Sequence, residues 1–174
     1  MPRSHAVALP VAYVALRILI VLNWLGGAAI LALLTATIVA EEWTMTALGI
    51  TPASPIRPML MGLRAIAALG LIGVPLNHAV LARLVAIVQT VGRGDPFIAA
   101  NAYRLNAIAW ALLALQLLSM VIGGIGEALS TPDNPLDLDA GFSINGWLAV
   151  LLTFILARVF AEGALMREDL EGTV

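Results

Sequence analysis

Few side chains in this chain can carry chemistry, and most of them sit inside long apolar runs. Asn23, Asn77, His78, Gln116 and Ser119 are among the polar groups placed there. Polar side chains at membrane depth are costly unless paired, and they usually face the protein interior. Two readings follow. They hydrogen-bond between helices, at about 1 kcal/mol each. Alternatively, Asn77, His78 and Gln116 form an intramembrane polar cluster for a small ligand or a proton, with His78 as a pH sensor. Other chemistries fall away on residue type. The chain has 0 Cys, so it has no disulfide and no thiolate metal site. It has no Lys, which excludes Schiff-base carriers such as retinal or pyridoxal. The second histidine, His5, lies at the N-terminus and cannot oppose His78 across a haem. No carboxylate lies at the depth of His78 to complete a metal site. No nucleophile–base pair and no His-Glu-x-x-His motif is found, so no enzyme and no cofactor are expected.

Two further groups of polar residues lie outside the apolar runs. The first is "GRGDPFIAANAYRL", residues 92–105. Gly92 and Gly94 are helix stop signals. Asp95 is expected as the N-cap of the next helix and Pro96 as its first residue. Phe97 is placed to bury against the interface or a neighbouring helix. Asn101 and Arg104 are three apart and share a helix face. Arg93-Gly94-Asp95 resembles an adhesion tripeptide, a reading discounted because this turn is expected in the cytoplasm. The second group is the tail "RVFAEGALMREDLEGTV". Val159, Phe160, Leu165 and Met166 are expected to form one apolar stripe, with Leu170 close by. Glu162, Arg167, Glu168, Asp169 and Glu171 form its charged side. From Ala161 onward the tail carries four acids and one Arg. Anionic lipid attracts basic helices, so an acidic tail suits a basic protein partner better. It could also pair with Arg93 and Arg104 of the turn, making one cap from both groups.

The elements that must position these residues are membrane helices. The 174-residue chain is 61% hydrophobic and 11% charged, with a mean hydropathy of +0.98. Residues 18–40, 65–82, 105–126 and 140–157 are free of charge. Each approaches the roughly 20 residues a spanning helix needs once flanks are added. Flanking Arg83 and Arg158 can snorkel to lengthen the shorter runs. The first run is too long for a signal-peptide core of about 7–15 residues and is expected to be retained. The expected fold is all-α: a polytopic membrane protein with a four-helix transmembrane bundle in a single domain over 1–174. Helices are expected at about 14–40, 62–91, 96–128 and 142–170. Trp43, Trp110 and Trp147 are placed as interfacial anchors. The Pro-rich stretches 51–59 and 130–141 read as external turns.

With both termini in the cytoplasm, seven of the 9 Arg lie on that side: Arg3, Arg17, Arg83, Arg93, Arg104, Arg158 and Arg167. Arg57 and Arg64 lie outside. The positive-inside rule favours this orientation.

In their order and spacing, the two polar groups resemble the YoaS-like bacterial membrane family, the domain of unknown function numbered twenty-nine seventy-five. Its pattern is a Gly-x-Pro-Phe turn followed by Asn and Arg-Leu, here Gly94, Pro96, Phe97, Asn101, Arg104 and Leu105. A Phe-x-x-Gly-x-x-Leu-x-x-Asp tail follows, here Phe160, Gly163, Met166 in the Leu place, and Asp169, ending in Thr173 and Val174. Leu165 is an alternative match one place earlier. Members are small four-helix membrane proteins. Their genes commonly lie beside a Cro/C1-type helix-turn-helix regulator. The resemblance therefore implies a bacterial inner-membrane protein that binds and restrains such a regulator, without binding nucleic acid itself.

The partner-binding face expected from both groups comprises Arg93, Asp95, Pro96, Phe97, Asn101, Arg104, Phe160, Glu162, Gly163, Arg167 and Asp169. The alternative is a small-solute transporter or a membrane-stress or immunity protein. Four helices, no visible repeat and no acid at mid-membrane weigh against transport, although a homo-oligomer would double the helix count.

Overall fold

The computed structural model describes residues 3–47, 56–130 and 140–171. Five helices account for nearly all of them: α1 (Arg3–Val39), α2 (Glu41–Ala47), α3 (Ile56–Gly92), α4 (Ala99–Leu129) and α5 (Ile144–Glu171). α1, α3, α4 and α5 are each long and apolar enough to cross a membrane. The chain is thus an all-α, multi-pass membrane protein, and each expected span is matched by one helix.

Helix boundaries differ from expectation in several places. α1 begins at Arg3, not near residue 14, and runs through Pro10. α3 runs through Pro75. An interior proline removes one backbone hydrogen bond. Membrane helices tolerate this because neighbours supply replacement contacts. Next to Pro75, Asn23 of α1 donates from Nδ2 to the Val74 carbonyl at 3.1 Å, a polar tie between α1 and α3. Glu41 and Glu42 open the short helix α2. Of the expected Pro-rich turns, 51–55 and 131–139 lie outside the described residues, and 56–59 belong to α3.

The helices pack in sequence order. α1 lies on α3, α3 on α4 and α4 on α5, while α2 packs on α1 and is tied to α3 by the Arg64–Glu41 ion pair. Among the described residues no other helix pair comes together. The four spans therefore stand in a row with two edges, instead of closing into a ring. The core is the α3–α4 seam, where Val80 meets Ile108 and Ala111, flanked by Leu84 and Leu115. The edges stay apolar and open: Val14, Ile18 and Leu25 on α1, and Leu151, Leu152 and Ile155 on α5. Water would solvate such faces poorly, whereas lipid tails solvate them without penalty.

The helices outlast a bilayer core. α3 has 37 residues, about 55 Å at the helical rise, against about 30 Å of hydrocarbon. At the end away from the 92–98 turn, Arg64 of α3 ties down the end of α1. Its Nη2 donates to the Thr37 carbonyl and lies 3.4 Å from Glu41 Oε2. Thr37 itself is 1% exposed. The C-terminal carbonyls of a helix lack intrahelical partners and attract cations, and Arg64 meets that need from a neighbouring helix.

Candidate functional site

The 92–98 turn is built by a helix-ending motif that the sequence announces. Gly94 adopts φ 88°, a conformation that side chains with Cβ seldom reach. Its N–H donates to the Val91 carbonyl at 3.0 Å, and the Asp95 N–H donates to the Thr90 carbonyl at 3.1 Å. This pair of bonds is the Schellman arrangement with Gly94 just past the helix end. Gly92 is still helical.

Asp95 and Pro96 therefore do not start the next helix. The N-cap of α4 is Ile98, with extended backbone and no side-chain cap. Asp95 instead closes the end of α3 through its N–H and turns its carboxylate to Arg167, so it does not cap α4. The chain must then cross to the axis of α4 in extended form through Phe97 and Ile98. Asn101 holds this crossing together. It is 0% exposed, and its Nδ2 donates to the Pro96 carbonyl and to Thr90 Oγ1, both at 2.8 Å. Arg104 Nη1 donates to Asn101 Oδ1 at 2.8 Å, so the expected shared face of Asn101 and Arg104 is realised. Both amide protons and the amide oxygen of Asn101 are used, as burial of an amide demands. Thr90 was not singled out in the sequence, because nothing in its neighbourhood marks a residue whose partner lies in the next helix.

The tail docks on this turn. Arg167 Nη1 lies 2.9 Å from Asp95 Oδ1. The rings of Phe97 and Phe160 sit 5.1 Å apart at 40°. Gly163 faces the same ring: a Cβ there would fall 2.8 Å from Phe97 Cδ1. The two polar groups thus meet, but with the charges reversed from the expected pairing. The acid comes from the turn and the base from the tail. Arg93 is exposed and Arg104 points inward to Asn101.

The expected apolar stripe of the tail is split by the same docking. Phe160 and Ala164 turn inward, while Val159, Leu165, Met166 and Leu170 are all more than half exposed. Residues 160, 163, 164 and 167 recur at helical spacing and make the docked face. Glu162 bonds back to Arg158 at 2.6 Å. Glu168 and Asp169 are exposed.

The mid-membrane residues have separate partners. His78 lies against Trp24, ring centroids 5.5 Å apart, and its buried Nδ1 has no hydrogen-bond partner. Asn77 is exposed. Gln116 turns the other way, toward α5. Its Nε2 donates to the Gly141 carbonyl at 3.4 Å, and its amide packs on Gly146. Ser119 Oγ accepts from the Gly141 N–H at 3.2 Å. Residues 140–143 are not helical, yet Ala140 and Gly141 lie beside Ser119 and Gly123 of α4, about 10–15 Å before it ends. Irregular backbone at such depth needs protein partners. Gln116 and Ser119 supply them, so the interhelical role accounts for both.

A family model, described as protein of unknown function (DUF2975), matches residues 65–174. The match takes in most of α3, all of α4 and α5, and both polar groups. No curated protein and no solved structure matches the chain. With well over half of its length matched, the chain belongs to the DUF2975 family.

Proposed function

We propose that this protein spans the bacterial inner membrane with both termini in the cytoplasm. There, the joined turn and tail capture a small basic helix-turn-helix regulator and restrain it. The observation that carries this reading is the docking of the tail on the turn through Asp95–Arg167 and Phe97–Phe160. It gathers two sequence-distant polar segments into one end of the molecule. The exposed carboxylates of Glu168 and Asp169, beside Glu162, give that end an acidic edge. An acidic edge speeds encounter with a basic DNA-binding module and excludes acidic partners. The regulator itself comes from the family resemblance.

The test is co-purification of the detergent-solubilised protein with the helix-turn-helix protein encoded beside it, with and without the segment after Arg158. Tail-dependent recovery supports the reading. Substituting Asp169 by Ala should weaken recovery and leave membrane insertion intact. Arg104→Ala should also weaken it, but through the turn's geometry, because Arg104 bonds inward to Asn101. Equal recovery with and without the tail would sink the assignment.

A further inference from the structure

A groove of about 390 Å³ runs between α4 and α5. Its floor is small and apolar, made by Ala102, Ala157 and Ala161. Its mouth is polar: Tyr103 from α4, Asn106 one turn deeper, and Arg158 from α5. Tyr103 is 74% exposed, and Asn106 and Arg158 are exposed as well. One turn further in, Phe154 lines the deep end, and Trp110 meets its ring edge to face at 5.4 Å.

The position of the groove along the helices identifies its surroundings. Asn106 is about 10 Å from the first residue of α4, which sets the mouth at the headgroup layer and the Trp110–Phe154 pair below it, among acyl chains. A groove with a polar mouth at the headgroups and an apolar floor beneath is shaped for one amphipathic molecule, a phospholipid.

The charges at the mouth select which phospholipid. Arg158 is the one cation among the groove-lining residues, and Glu162 holds it at 2.6 Å. The pair presents a cation and an anion side by side. A purely anionic headgroup would meet Arg158 but would also be set against Glu162. A headgroup with its own phosphate and ammonium would satisfy both. We propose that this groove is a phosphatidylethanolamine site. The phosphate takes the guanidinium N–H groups of Arg158 not used by Glu162, and the primary ammonium donates to Glu162. The Tyr103 hydroxyl and the Asn106 amide donate to the ester oxygens of the lipid. One acyl chain lies along the alanines toward Trp110.

The test is native mass spectrometry of the full chain in mild detergent, mixed with phosphatidylethanolamine or with phosphatidylglycerol of matched acyl chains. Helix content by circular dichroism is read alongside for each variant. The wild-type protein should retain one phosphatidylethanolamine about tenfold more strongly than phosphatidylglycerol, the scale of one charge-assisted hydrogen bond. Glu162→Gln should abolish that preference by admitting phosphatidylglycerol. Arg158→Gln should lose the retained lipid. Ala161→Leu, which fills the floor and leaves the ion pair in place, should lose it too. Equal retention of both lipids by the wild-type protein overturns the headgroup assignment. Retention unchanged in both Arg158→Gln and Ala161→Leu overturns the site.

Discussion

The two ends of this molecule are tied by polar contacts of different reach. At the turn end, the Asn101 side chain bonds residues 3, 5 and 11 positions away in the chain. Toward the far end, Arg64 reaches 27 positions to Thr37, and Gln116 reaches 25 to Gly141. The first set closes a tight connection between consecutive helices. The second set fastens neighbouring helices where the chain between them is long. The contrast shows where polar groups earn their place in a lipid-facing row: at a short turn they shape the backbone, and between long helices they satisfy backbone that would otherwise meet hydrocarbon.

The largest expected effect tests the turn end. Asn101→Ala leaves the Pro96 carbonyl, Thr90 and Arg104 without their buried partner at once. Stability in detergent should fall by about 2–3 kcal/mol, measured by reversible denaturation in mixed micelles. A loss below about 0.5 kcal/mol would mean that water replaces the amide and that the turn is shaped by Gly94 alone. Gln116→Leu tests the second set. It frees the Gly141 carbonyl, but Ser119 still holds the Gly141 N–H, so the expected loss is about 1 kcal/mol. A loss equal to that of Asn101→Ala would erase the distinction between the two sets. The smallest effect is expected for the Asp95–Arg167 pair, whose side chains are 51% and 41% exposed. A double-mutant cycle with Asp95→Asn and Arg167→Gln should give a coupling of about 0.2–1 kcal/mol that shrinks with added salt. A salt-independent coupling above that range would show that the tail shields the pair from solvent, and would make the charge the main clamp instead of the Phe97–Phe160 contact.

Parts of the site were legible because their causes are local. The Gly94 stop needs only a positive φ, and Asn101 and Arg104 need only helical spacing. The start of α4 was misplaced because Asp-Pro is a sound local signal for a helix start, and nothing nearby shows that the Asp95 carboxylate faces Arg167 of the tail. The tail stripe was misread for a related reason. Hydrophobicity marks Phe160 and Met166 alike, but the docked face is set by Gly163, which admits the Phe97 ring, and that ring belongs to a distant segment.

The sequence by itself determined four spanning helices, the helix stop at Gly94, and the family. Each follows from apolar run length, from a backbone angle that favours glycine, or from a motif whose residues are close in the chain. Tertiary structure alone decided that the spans stand in an open row, that Arg167 meets Asp95, that Gln116 serves Gly141 and not His78, and that Arg158 and Glu162 frame a groove. The reason is physical. Lipid and protein interior reward the same apolar side chains, so hydropathy places a helix in the membrane without saying which of its faces another helix will cover.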